Sequence, residues 1–237
     1  MHRFFPAFAI AALGLFVSAP LAAEEPPHPA FAPAPPGTVD ESQVVYLSGQ
    51  AMHSQWRGVI SKKAVGTGDG ETFYQWYVSI YQIDDTTYRL RYQSPANGGP
   101  LDKLEKAKGA TLWFPRQDAG IVGAGELMGP GVEQLVVQTH QTGADCGSAD
   151  LTVFAFDPKS NKVVPAVTLE NACDLDAKIV KNGNGATLQL SGPYYNATAP
   201  LCCPTKPHVT ATLKYANGKW IETPNYFRFY PKAFPHV

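Results

Sequence analysis

The sequence has few charges, few cysteines and no apolar run long enough to cross a membrane. Charged residues make up 16% of the 237 residues, and the formal net charge is −1. This balance argues against a polyanion-binding surface, so nucleic acid is not an expected partner. The apolar stretch Ala7–Val17 has 11 residues, whereas a membrane-spanning helix needs about 20. We therefore expect no membrane span.

Motifs of the common catalytic and cofactor sites are also missing. The sequence has no G-x-S-x-G elbow, no H-E-x-x-H pair and no phosphate-binding loop. The glycine-rich residues 66–70 lack the following lysine and are interpreted as a loop of a hairpin. Cys146 near His140 could be a catalytic nucleophile activated by the histidine. In an oxidising compartment, however, a disulfide explains this cysteine better. The sequence thus predicts no catalytic residue, metal ligand or cofactor.

The N-terminus has the three regions of a secretory signal. A basic start is followed by the apolar stretch and by small residues that end at Ala23, where we expect cleavage. The mature protein is then expected to be soluble and periplasmic or secreted.

Residues 24–37 contain six prolines in 14 residues and are predicted to be a disordered spacer. The alternative is a Pro-rich segment that docks into a partner's groove. Residues 38–237 are predicted to form one β-rich globular domain, or two subdomains that meet near residues 115–130.

The fold is predicted to be all-β, mainly an antiparallel meander or sandwich, with one short helix at Leu101–Lys108. Glycine and proline number 21 each, which suits short strands joined by tight turns. Strands are predicted at Phe73–Tyr81, Tyr88–Gln93, Thr111–Phe114, Glu133–Thr139, Leu151–Phe156, Val163–Leu169, Ala177–Val180, Ala186–Ser191, Val209–Tyr215 and Lys219–Glu222.

Turn signals also predict strand register. A turn at residues 182–185 makes opposed positions sum to 367, which pairs Ile179 with Leu188. The Asn217-Gly218 turn makes them sum to 435, which pairs Tyr215 with Trp220. In the strand before that turn, His208 is predicted to face water.

Aromatic side chains are dense between Phe73 and Tyr81. Tyr74 and Trp76 share one face of that strand, and Tyr77 and Tyr81 share the other. A strand covered on both sides is the plain interpretation. An aromatic platform for a sugar or a protein partner is the functional one.

Four cysteines in an exported chain predict disulfides. The 151–156 and 163–168 hairpin makes opposed positions sum to 319, and Cys146 and Cys173 also sum to 319. Cys202 and Cys203 then bond each other or stay reduced, and such a strained vicinal bond would be a labile redox element. Cross-links from this pair to the other two cysteines are the alternative, and a zinc site with His208 lacks the usual ligand spacing.

Residues 131–222 resemble the LppP/LprE-type lipoprotein domain of actinobacteria and its exported relatives. The resemblance is carried by Gln134-Leu-Val-Val, Asp145-Cys-Gly-Ser-Ala-Asp-Leu-Thr-Val-Phe, Gly192-Pro-Tyr-Tyr, Leu201-Cys-Cys-Pro-Thr and Tyr215-Ala-Asn-Gly-Lys-Trp. It implies an exported envelope protein and supplies no catalytic residues. The chain has no cysteine before Cys146 and thus no lipid-attachment cysteine near its N-terminus.

Three function classes follow from these features. A non-enzymatic envelope protein that binds another envelope protein or a small ligand is the favoured one. A thiol–disulfide redox protein and an unrecognised hydrolase are the alternatives. The residues proposed for a binding surface are Tyr194, Tyr195, His208, Tyr74 and Trp76.

Overall fold

The computed structural model describes residues 29–49, 55–68, 71–95, 117–141, 148–183, 185–194, 205–227 and 229–231. These residues form strands in three sheets, numbered here in chain order. Sheet A has the order β1-β5-β4-β3-β2, sheet B the order β14-β9-β8-β7-β6 and sheet C the order β10-β11-β12-β13.

The strand bounds of sheet A are β1 (Ala30–Ala32), β2 (Thr38–Val45), β3 (Trp56–Gly68), β4 (Glu71–Asp84) and β5 (Thr87–Gln93). Those of sheet B are β6 (Gln117–Gly125), β7 (Gln134–Gln141), β8 (Ser148–Asp157), β9 (Lys162–Cys173) and β14 (Phe229–Pro231). Those of sheet C are β10 (Asp176–Asn182), β11 (Gly185–Tyr194), β12 (Lys206–Ala216) and β13 (Lys219–Thr223).

The predicted all-β, mainly antiparallel fold is confirmed. Neighbouring strands pair antiparallel throughout the three sheets except β1 and β5, which pair in parallel. The predicted helix at Leu101–Lys108 and the predicted strand at Thr111–Phe114 lie outside the described residues. No helix in the described part of the chain is long and apolar enough to cross a membrane.

Sheet B is the central layer, because apolar side chains leave both of its faces. On β7, Leu135 and Val137 belong to the core shared with sheet A, whereas Val136 belongs to the core shared with sheet C. On β8, Phe154 belongs to the core shared with sheet A, and Val153 belongs to the core shared with sheet C. A strand buried on both faces has a continuous apolar sequence, as β7 has.

Two hairpins of sheet C have the predicted registers, and each has a two-residue turn. Ile179 pairs with Leu188 in the β10–β11 hairpin, as the sum of 367 requires. Tyr215 pairs with Trp220 across the β12–β13 turn, and their ring centroids are 5.3 Å apart. Asn217 has φ 53°, so the turn adopts the left-handed backbone that an Asn-Gly turn allows.

The register predicted for the β8–β9 hairpin is correct only near its turn. Asp157 pairs with Lys162 and Phe156 with Val163, both summing to 319. Two irregularities farther along shift the register, so that Cys173 lies opposite Ser148. The premise that placed Cys146 directly across from Cys173 is therefore wrong, because each bulge adds a residue to one strand without a partner on the other.

One prediction on chain organisation differs from what the structure shows, and another stays open. Ala30–Ala32, assigned to the spacer, forms β1 and pairs with β5. The choice between one domain and two subdomains stays a prediction; Gln117–Gly125, near the proposed boundary, is an edge strand of sheet B that contacts strands of both outer sheets.

Candidate functional site

A cleft of about 520 Å³ opens where connections from all three sheets meet. Its lining comes from two residues after β2, five residues between 128 and 134, the end of β8 with its turn, and the β12–β13 turn. These residues are Leu47, Ser48, Met128, Gly129, Pro130, Val132, Gln134, Ala155, Phe156, Pro158, Tyr215 and Gly218. None of these lining residues is charged. The volume lies within the usual range of small-molecule sites.

The 126–133 connection is held in place around Gln134. This side chain is 2% exposed, its Oε1 accepts a hydrogen bond from Met128 N at 2.8 Å, and its Nε2 donates one to Val132 O at 3.0 Å. A buried amide whose donor and acceptor are both satisfied by one loop fixes the conformation of that loop. Gln134 therefore shapes one wall of the cleft.

Glu133 joins this wall to sheet A. Its carboxylate Oε2 accepts a hydrogen bond from Tyr46 N, and its backbone N donates one to Tyr46 O, both at 3.0 Å. This reciprocal pair links residues 87 positions apart in sequence. The end of β2 and the β6–β7 connection are consequently held together at the cleft.

Trp56, in the core between sheets A and B, contacts two lining residues of the cleft. It is 1% exposed, and its Nε1 donates a hydrogen bond to Ser48 Oγ at 2.9 Å. Its ring centroid lies 5.3 Å from that of Phe156. The indole thus connects the sheet A side of the cleft with the sheet B side.

The β8–β9 turn is stabilised by Asp157. Its Oδ1 accepts a hydrogen bond from Lys159 N at 3.0 Å, and its Oδ2 accepts one from Ser160 Oγ at 2.6 Å. The Ser160 hydroxyl is the main reason that the pKa of this carboxyl is lowered, since the bond favours the charged form. Asp157 therefore fixes the turn that presents Pro158 to the cleft.

We expect Asp157→Asn to lower the melting temperature at pH 7 and to have a smaller effect at pH 3. The folded carboxyl has the lower pKa, so its stabilisation is present above the unfolded value near 3.9 and is lost as the pH falls through the folded pKa. Thermal unfolding of both proteins at the two pH values measures this. Asp176→Asn, which changes an exposed carboxylate on β10, is the control. An equal difference at both pH values would contradict the assignment.

The predicted aromatic platform on β4 is covered by a lysine. Tyr74 is 38% exposed, whereas Trp76 is 8% exposed and belongs to the core between sheets A and B. Lys62 Nζ lies 5.4 Å from the Tyr74 ring centroid and 5.3 Å from that of Trp76. Asp40 forms a salt bridge with Lys62, and this contact is the main reason that the lysine pKa is raised. The same strand is buried on both faces at Ile80 and Tyr81, as the plain interpretation predicts.

The other proposed surface residues lie on sheet C. Tyr194 packs against the core, and its ring centroid is 5.3 Å from that of Tyr226. His208 is exposed on β12, as predicted. Tyr195 lies outside the described residues. The structure therefore does not bring Tyr74 and Trp76 together with Tyr194 and His208, and their binding role stays a prediction.

The cysteine predictions fall mostly beyond the described ranges. Cys173 ends β9, and its side chain is not described; Cys146, Cys202 and Cys203 lie outside the described residues. The disulfides, the vicinal pair and the Cys146–His140 alternative stay predictions. Across the residues that are described, no group of three or more His, Cys, Asp or Glu could hold a metal ion.

His140 forms a cross-strand pair with Asp118. Its Nδ1 lies 3.0 Å from Asp118 Oδ1, and its Nε2 lies 2.9 Å from Gln138 Nε2. A glutamine NH₂ can only donate, so His140 Nε2 accepts, and the ring proton is on Nδ1 facing the carboxylate. The pair therefore connects the neighbouring strands β6 and β7 through their side chains.

No family model, curated protein or solved structure matches the chain.

Proposed function

We propose that the protein is an exported, non-enzymatic binding module of the bacterial envelope that takes a small, uncharged and largely apolar ligand in the cleft. The observation that carries this proposal is a cleft of about 520 Å³ whose lining residues, as described, include no charged side chain. Small-molecule sites are concave and mostly apolar, and they contain few polar groups.

Two polar side chains at the cleft, Gln134 and Ser48, already have structural partners. Gln134 is bonded to the backbone of its own loop, and Ser48 accepts the indole N–H of Trp56. A charged ligand would lose hydration without gaining an opposite charge from these lining residues. The apolar surfaces of Met128, Val132 and Phe156 are therefore what the site offers.

Features of the sequence support the export part of the proposal. The first 23 residues have the pattern of a secretory signal, and residues 131–222 resemble a domain of exported envelope proteins. A carrier or sensor of a poorly soluble compound in the envelope fits both the cleft and this location.

The test uses N-phenyl-1-naphthylamine, an uncharged fluorescent probe, and its anionic relative 1-anilinonaphthalene-8-sulfonate. Val132→Trp places a large ring at the cleft rim, where the valine is 36% exposed. We expect this variant to bind the neutral probe at least tenfold more weakly, because the indole occupies the space of the probe. Fluorescence titration measures the change.

Val39→Trp is the matched control, because this valine is 42% exposed on the edge strand β2 and is not a lining residue of the cleft. It is expected to leave the affinity unchanged. Equal loss in both variants, or tighter binding of the anionic probe by the unmodified protein, would count against an uncharged ligand in this cleft.

A further inference from the structure

Sheet A is crossed by its own N-terminal segment. β1 pairs with β5 at one edge of the sheet, and β2 pairs with β3 at the other edge. The two edge strands are four strand spacings apart, about 19 Å across the sheet. Ala32 lies in the row of Trp56, whereas Thr38 lies opposite Lys62, six residues or about 20 Å farther along the strands. The six Cα steps from Ala32 to Thr38 span at most about 21 Å. On a flat sheet the two displacements would combine to about 28 Å, so sheet A must twist enough to bring Ala32 and Thr38 closer, and residues 33–37 run almost fully extended from one edge to the other.

The crossed face is the outer one, which points away from sheet B. The inner face is filled by the core shared with sheet B. Phe31 lies on the outer face, where its ring centroid is 4.7 Å from that of Tyr81 and 5.3 Å from that of Tyr88. Pro35 and Pro36, in the middle of the crossing, are half-buried. Residues 30–37 thus form a strap over this face.

The surface under the strap has the chemistry of a proline-binding groove. We define the strap groove by Arg57, Val59, Tyr81 and Tyr88. Val59 and Tyr81 are fully buried, and the guanidinium carbon of Arg57 lies 5.2 Å from the Tyr88 ring centroid. Aromatic-lined grooves recognise proline-rich extended chains, and an exposed sheet edge recognises a strand through backbone hydrogen bonds. The strap pairs with β5 through Ala30–Ala32 and packs Phe31 on the Tyr81 and Tyr88 rings.

The attachment of the strap is small compared with the sheet that it covers. β1 has three residues, pairs along one side only, and contributes one aromatic side chain. Ser61 Oγ, on the same face, is buried with no hydrogen-bond partner among the described residues. Short edge elements with few buried contacts open at low free-energy cost.

We propose that the strap groove is a recognition site for an extended segment with an aromatic residue followed by prolines, and that residues 30–37 occupy it in cis. The partner is a protein segment of this chemistry, which displaces the strap and pairs with the free edge of β5. The cis segment competes at an effective concentration in the millimolar range, so the groove stays closed until such a partner is present. This site is separate from the cleft.

The test uses the full mature chain and a fluorescein-labelled peptide with the sequence of residues 29–37. Phe31→Ala in the protein removes the aromatic anchor of the strap and opens the groove. We expect this variant to bind the peptide at least tenfold more tightly than the unmodified protein does, as measured by fluorescence anisotropy. The peptide with Phe31→Ala is the matched control and is expected not to bind.

Two further measurements make the outcome decisive. Phe31→Ala combined with Tyr88→Ala should lose the peptide again, with circular dichroism showing that the strands persist. In the unmodified protein, hydrogen exchange is expected to be faster in residues 30–32 than in β3 and β4. Equal binding of both peptides, no binding to the opened variant, or a strap protected as strongly as β4 would overturn the proposal.

Discussion

Leu135→Ala is expected to lower the free energy of unfolding by about 2 to 5 kcal/mol, the usual cost of a cavity at a buried leucine. Leu135 is fully buried in the core that joins sheets A and B. Its Cδ2 would lie 2.5 Å from a Cβ added to Gly58, so the backbone of β3 approaches this side chain as closely as a glycine allows. The two positions therefore share one small volume.

Gly58→Ala is expected to have opposite effects in two backgrounds. In the unmodified protein the added methyl overpacks the core, at a cost of about 1 to 3 kcal/mol. In the Leu135→Ala protein the same methyl fills part of the cavity, so the double variant is expected to be more stable than Leu135→Ala alone. Urea unfolding of the four proteins gives the coupling energy.

Leu213→Ala provides the matched control for this cycle. Leu213 is 1% exposed but belongs to the core between sheets B and C, on the far side of the central layer. Gly58→Ala should therefore cost the same with and without Leu213→Ala. A cost that is also unchanged by Leu135→Ala would show that the two sheets do not meet at this contact.

The parts of the fold that the sequence predicts well depend on short-range signals. The Asn217-Gly218 turn sets the pairing of Tyr215 with Trp220 because a two-residue turn leaves only one register. The Ile179–Leu188 pairing follows in the same way from its glycine-rich turn. Each such hairpin is determined within a dozen residues of sequence.

Register fails where bulges intervene, because a bulge has no strong local signature. The β8–β9 hairpin keeps its predicted register from Asp157 to Phe154 and then changes it twice before Cys173. The sequence also fails to predict β1, because the contacts that dock this strand are long-range. A proline-rich composition predicts an extended chain, but only the Tyr81 and Tyr88 rings on other strands make that chain a docked strand.

The cleft could not be predicted, because it is built by contacts between distant connections. The Tyr46–Glu133 pair joins residues 87 positions apart. The turns at 182–185 and 217–218 determine pairing within sheet C but not how this sheet packs on sheet B. One signal was present in the sequence. The 126–133 connection is rich in glycine and proline and is followed by Gln134, a polar residue at the start of the apolar run Leu135–Val137.

Trp56→Ala is expected to cost about 3 to 5 kcal/mol of unfolding free energy, since the indole is 1% exposed in the core between sheets A and B. The more informative change is Trp56→Phe, which retains an aromatic ring but removes the N–H that bonds Ser48 Oγ. The lost hydrogen bond contributes about 1 kcal/mol. Its loss also releases one lining residue of the cleft.

The Trp56→Phe variant should therefore bind N-phenyl-1-naphthylamine several-fold more weakly, although most of its stability is retained. Trp76→Phe is the matched control, because Trp76 is 8% exposed in the same core and is not a lining residue of the cleft. It is expected to lose stability without losing probe affinity. Chemical denaturation and probe titration on both proteins separate the two effects. If Trp56→Phe and Trp76→Phe weaken probe binding equally, the indole–Ser48 contact does not shape the cleft, and the probe reports general loosening of the core.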